Sequence, residues 1–173
     1  MSVSVFSVLI YTGMTALLDL RTQKIPNTAI LCGWSAGLGL WLGLQGYRGC
    51  LYWMSGALGT LLPGLILYLL GGFGAGDVKL LSVAGGILGL RRGLWLAVAA
   101  LFVGGGMGLA AVSRSGEGRA CLLRTGKYIR GLFTGGKPVW PKGQGVRVCY
   151  ALAVFGAALL LAVREGGWIP WLK

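Results

Sequence analysis

Histidine is absent from the 173 residues, and only four acidic residues stand against sixteen lysines and arginines. The first absence removes Ser-His-Asp and Cys-His catalysis and any His-ligated metal. The cysteines, Cys32, Cys50, Cys121 and Cys149, lie far apart with no C-x-x-C pair, so neither a zinc site nor a disulfide framework is signalled. Charge as a whole is scarce: 12% of residues are charged, against about a quarter in a soluble domain. What fills the chain instead is apolar residue, 55%, and 33 glycines.

That composition belongs to an all-α, polytopic membrane protein. At about 20 residues per span plus short connections, the length accommodates about six transmembrane helices in one membrane-embedded unit, residues 1–173. The first apolar run lacks a basic leading region and runs directly into Asp19 rather than a small-residue cleavage site, so it is expected to be a retained helix. The spans are expected at about 3–18, 28–44, 51–70, 78–90, 94–112 and 146–163. Pro26 blocks simple continuation after the first, and Asn27 is placed to cap the second. Pro63 falls inside the third. Gly71-Gly72-Phe73-Gly74-Ala75-Gly76 breaks the helix before Asp77, and Arg91-Arg92-Gly93 is expected to turn the chain between the fourth and fifth spans. The fourth apolar run, Val78 to Leu90, is about 20 Å of helix, short for a hydrocarbon core of about 30 Å.

Glycine pairs four apart, Gly33 and Gly37, Gly39 and Gly43, Gly85 and Gly89, Gly104 and Gly108, favour close helix packing. Trp41, Trp53, Trp95 and Trp168 fall near expected span ends, as an aromatic belt requires.

Half of the net charge of +12 falls in one loop, about 113–145. That pattern points to anionic lipid headgroups and membrane orientation, and nucleic acid is not an expected partner. With six spans, eleven Lys and Arg residues fall on one side and five on the other. The positive-inside rule puts the first side in the cytoplasm, together with both Asp19 and Asp77. The basic loop of about 113–145 reads as a helix lying on the inner leaflet, as a solvated topology signal, or less readily as a substrate grip.

Two carboxylates near membrane depth need a reason, because an ionisable group in a spanning segment costs roughly 2.5–3.5 kcal/mol by insertion scales. One reading is that each Asp merely caps a helix at the interface. The other is chemical. Two carboxylates close enough to share a proton cannot both ionise easily, so one serves as acid and the other as base. Such a pair can activate water and protonate a leaving amine without His, Cys, metal or cofactor, and it titrates as a unit. Glycine at 74 and 76 would let a substrate backbone approach. The positive end of the helix dipole favours the charged form of Asp77.

The run Gly74-Ala75-Gly76-Asp77-Val78-Lys79 resembles the G-x-G-D-x-K signature of type IV prepilin peptidases, and Asp19-Leu20-Arg21 with Ile25-Pro26-Asn27 resembles their D-x-R-x-x-x-I-P-N block. G-x-G-D alone is shared with presenilin-like proteases. The second block, in the family's order on the first and fourth helices, makes the match specific. The resemblance implies a bacterial inner-membrane aspartic endopeptidase that removes the basic leader of prepilins or pseudopilins at the cytoplasmic face, typically after a glycine. It assigns Asp19 and Asp77 as the catalytic pair and makes Gly74, Gly76, Lys79, Arg21, Pro26 and Asn27 site-shaping positions. Lys79 lies about 200° around the helix from Asp77, which suits anchoring or local structure.

Two departures from the family pattern stand out. The N-terminal C-x-x-C region linked to methylation is missing, as in the short form associated with Flp-type pili, so peptidase activity without N-methyltransferase activity is expected. Where the family often has a proline-containing entry to the last helix, this chain has Val148-Cys149-Tyr150-Ala151. The rival from another class is a small transporter or channel subunit using Asp19 and Asp77 to bind a cation or relay a proton. A preflagellin peptidase is the rival with the same chemistry.

Overall fold

The computed structural model describes residues 3–22, 25–70, 73–115 and 149–165. Among these residues there are six α-helices and no strands: α1 (Val3–Thr22), α2 (Asn27–Gln45), α3 (Tyr47–Leu69), α4 (Ala75–Leu88), α5 (Leu90–Ser115) and α6 (Tyr150–Glu165). The all-α reading therefore holds. Three helices, α1, α3 and α5, are long and apolar enough to cross a membrane. The chain divides into two compact units, residues 1–104 with 149–173, and residues 105–148. Of the second unit, the described part is the helical stretch 105–115.

In the first unit α4 is the core helix. Every residue from Val78 to Leu88 except Lys79 is buried, and α1, α2, α3 and α6 all pack against it. A helix that is apolar all round must be covered on all sides. Its 14 residues are therefore enclosed largely by protein, which is why a run too short for lipid is still a stable helix.

The outer helices are patterned the other way round from those of a soluble protein. On α1 the buried stripe is Ser4, Val5, Val8, Thr12, Thr15 and Ala16, while Phe6, Ile10, Met14 and Leu17 are exposed. Large apolar side chains turned outward are costly in water and natural against lipid. The inward hydroxyls are satisfied within the helix: Thr12 donates to the Val8 carbonyl at 2.7 Å, and Thr15 to that of Tyr11 at 3.0 Å. Thr60 of α3 does the same towards Gly56 at 2.9 Å and also reaches the Leu81 carbonyl of α4 at 3.1 Å. Small faces at Gly56 and Gly85 bring the two helices together.

The glycine pairs divide accordingly. Gly33 and Gly37 are buried, and a Cβ on Gly33 would lie 2.5 Å from Tyr11 Cε2 and 2.7 Å from Val83 Cγ1. Gly39 and Gly43 meet nothing within 4 Å, because they sit on the other side of α2. Gly33→Ala is expected to destabilise the protein by about 1–3 kcal/mol through overpacking, whereas Gly39→Ala is neutral or slightly stabilising through helix propensity. Thermal melts of the two variants in nanodiscs check this, and equal midpoints would refute it.

Several boundaries differ from expectation. α1 continues to Thr22, so Asp19 lies in its last turn rather than beyond its end. The turn between α4 and α5 falls at Gly89, whose φ of +79° suits only glycine, and not at Arg91-Arg92-Gly93. The two arginines instead open α5, where their charge meets the unfavourable end of the dipole. Arg92 is offset there by an ion pair with Glu165 at 2.8 Å. The turn before α3 shrinks to Gly46, with φ of +59°, and α6 begins at Tyr150. Pro63 remains inside α3 without ending it. Trp41 donates from Nε1 to the Ile87 carbonyl at 3.0 Å, and the Arg164 guanidinium lies over Trp95 at 4.9 Å. Trp53 is not a belt residue. It turns inward against Gly37 and Gly86 and meets Trp34 edge-on at 6.4 Å. Trp168 and the basic segment beyond Ser115 lie outside the described residues.

Candidate active site

Chain direction alone puts the end of α1 and the starts of α2, α4 and α6 at one end of an up-and-down bundle. Local chemistry determines what each of them presents. The last turn of α1 carries half-buried Asp19 and exposed Arg21. Ile25 and Pro26 then reverse the chain, with Pro26 in the extended conformation at φ −67° and ψ 140°. Asn27 does not cap α2. Pro26 holds the cap position and Asn27 is the first helical residue, so the Asn27 side chain is released for another partner.

That partner is Lys79, whose Nζ donates to Asn27 Oδ1 at 3.1 Å across 52 residues of sequence. The bond ties the two sequence blocks together directly. It also answers the angular argument about Lys79, because a side chain turned away from Asp77 on α4 points towards the start of α2. Ile25 adds apolar contact between the blocks: a Cβ on Gly76 would rest 3.9 Å from Ile25 Cβ.

At the start of α4, Gly74 is extended, with φ −81° and ψ 150°, and its N–H donates to Asp77 Oδ2 at 3.1 Å. The carboxylate thus folds back over the helix entrance as the N3 half of a capping box. The space beside Gly74 is already taken, since a Cβ there would lie 3.0 Å from Asp77 Oδ2. Glycine at 74 serves the carboxylate's own placement.

Asp77 precedes the apolar run of α4 and lies outside the three helices long enough to cross a membrane. Burial pushes its carboxyl up from the ordinary 3.8 to about 6. The Gly74 amide pulls the other way, and the charge of Asp19 pushes it up further. A carboxyl raised by desolvation and by a second carboxylate holds a proton where an ordinary Asp has lost it. Asp77 is at the same time a helix cap through the Gly74 amide, so capping and chemistry are compatible at this residue.

The start of α6 joins the same group. The Tyr150 ring packs on Phe73, the residue before Gly74, with centroids 4.7 Å apart. Phe73, Ile25 and Tyr150 were not singled out as site residues in the sequence. The available signal was the unusual Val148-Cys149-Tyr150-Ala151 entry to the last helix. A cavity of about 660 Å³ runs along α1 and α2 and is lined by Tyr11, Met14, Leu18, Pro26, Ala29 and Leu40 among others. Leu18 and Pro26 line it near the turn between α1 and α2, and Asp19 is not among its lining residues.

Gathered at one end of the bundle are therefore the helix ends that carry Asp19 and Asp77, a glycine turn whose amide holds Asp77, and an amine-to-amide bond between the two blocks. A sequence model described as the type IV leader peptidase family matches residues 4–109, a span that includes both aspartates. No curated protein and no solved structure matches the chain.

Proposed function

We propose, for a chain that belongs to the type IV leader peptidase family, that Asp19 and Asp77 form the catalytic pair of a membrane aspartic endopeptidase. Its substrates are type IV, Flp-like prepilins or pseudopilins, and it cuts off their basic leaders at the cytoplasmic face of the bacterial inner membrane. The observation that carries this reading is the junction of the two acid-bearing blocks, closed by the Lys79 Nζ to Asn27 Oδ1 bond at 3.1 Å, in a chain whose residues 4–109 match the family.

In this reaction one carboxylate takes a proton from water as the oxygen attacks the scissile carbonyl. The protonated partner donates its proton as the amide C–N bond breaks, so a carboxyl end and an amine leave. The two carboxyls titrate as a unit, so the acid and base roles belong to the pair. Gly74 and Gly76 shape the turn that carries Asp77, and Lys79, Asn27 and Pro26 hold the entry of α2 against α4. Arg21, exposed two residues on from Asp19, faces the aqueous side, where an anionic leaflet would meet it. The paired C-x-x-C motifs linked to methyl transfer do not occur in these 173 residues, and the activity proposed for them is peptidase alone.

The test is reconstitution in vesicles containing anionic lipid, with a membrane-anchored substrate whose basic leader ends in glycine. Mass spectrometry should find one cut after that glycine. Intact substrate in the presence of folded protein would sink the proposal. Methylation of the new N-terminus by the same preparation would overturn its narrower part.

A further inference from the structure

Tyr150 opens α6 and is half-buried, yet its hydroxyl oxygen is sealed from solvent and has no hydrogen-bond partner among the described residues. A buried hydroxyl without a partner costs stability, and phenylalanine would fill the same space without that cost. The ring is held in place. It lies 4.7 Å from the Phe73 ring, and a Cβ on Gly104 would come within 3.1 Å of its Cε2. Phe73 adjoins Gly74, the residue whose amide grips Asp77 Oδ2. α6 packs on α4, and the Tyr150 hydroxyl lies within electrostatic reach of the Asp77 carboxylate. Asp19 from α1 acts on the same carboxyl, and Lys79, on the helix of Asp77, is turned away and held by Asn27. Asp77 thus has one oxygen committed to the Gly74 amide, and nearby stands a buried donor with nothing to donate to.

We propose that Tyr150 is a positioning residue for the aspartate pair: as water attacks the scissile carbonyl, its hydroxyl donates to the free carboxylate oxygen of Asp77 and holds that carboxylate on the reacting water. The inference rests on the peptidase reading and adds a residue to it. A hydrogen bond made in the transition state and not in the substrate complex speeds turnover without tightening ground-state binding. A donor to the ionised carboxylate also makes protonation of the pair harder.

The experiment compares wild type, Tyr150→Phe and Tyr150→Leu in nanodiscs, with the glycine-ending leader substrate. Tyr150→Phe should melt at or above the wild-type temperature, keep KM within about twofold and lose about tenfold or more in kcat, the worth of a hydrogen bond to a charged group. The acidic limb of its kcat profile should move to higher pH. Tyr150→Leu, which also loses the Phe73 contact, should lose thermal midpoint as well. Tyr150→Phe with wild-type kcat and an unshifted limb overturns the inference alone. So does a loss of kcat that comes with a lower midpoint, because Tyr150 would then serve packing. Wild-type protein that cuts nothing overturns the peptidase reading, and this inference with it.

Discussion

Replacing Asp19 or Asp77 singly by Asn is expected to leave prepilin uncut, with turnover lowered by about a thousandfold or more and with the protein still folded in the membrane. Asn keeps the size of the side chain and, at 77, can still accept from the Gly74 amide, so the α4 entrance survives. What disappears is the proton exchange. Neither acid can activate water and protonate the leaving nitrogen alone, and groups that act as a unit are grossly non-additive. The double variant should therefore be no worse than either single one. Asp77→Glu keeps the charge and misplaces it by about an ångström, which is worth roughly a hundredfold. The measurement is precursor length by mass spectrometry in cells and in vesicles, beside the amount of enzyme in the membrane. Processing that survives in either single variant would remove the pair from the chemistry. If ion flux vanished in those variants while processing continued, the transporter reading would take its place.

The two aspartates stood out because charge is so scarce here, and the structure puts the two helix ends that carry them at one end of the bundle, joined by Lys79 and Asn27. The break before α4 was legible as well, since a run of glycine cannot hold a helix against water or lipid. The contact between Lys79 and Asn27 was not, because nothing in either block says which residue 52 positions away it will meet. A side-chain amide beside a proline looks like a cap until the proline is seen to hold the cap position itself. Trp53 shows the same limit. Position near a span end suggested the interface, but the small faces of Gly37 and Gly86 leave a slot that only an inward ring fills. Gly33 and Gly39 share a spacing pattern and differ in fate, because a pattern four residues long does not say which side of the helix has a neighbour. Tyr150 was visible only as a departure from a pattern. Its meaning depends on the sealed hydroxyl and on Phe73.

Asp77→Asn is also expected to make the protein more stable above about pH 6, and this second outcome tests the electrostatics independently of any substrate. In the unfolded chain the Asp77 carboxyl titrates near its ordinary value of 3.8, and in the folded protein at about 6. Between those values the unfolded state has released its proton while the folded state still binds it. Stability contributed by this group is therefore complete below about pH 4, falls as pH rises, and reaches its minimum above about pH 6. The displacement corresponds to about 3 kcal/mol at 1.36 kcal/mol per pH unit, of which partial solvent access leaves about 1–3 kcal/mol. Asn carries no charge to desolvate and does not repel Asp19, so it escapes the whole effect. At pH 8 the variant should melt higher by about 3–8 °C, and at pH 4 the two curves should coincide. Melting in nanodiscs followed by tryptophan fluorescence across that range gives the answer. A wild-type protein as stable as the variant at pH 8 would mean that Asp77 is an ordinary, solvated helix cap. The pair would then lack the shared proton on which cleavage depends.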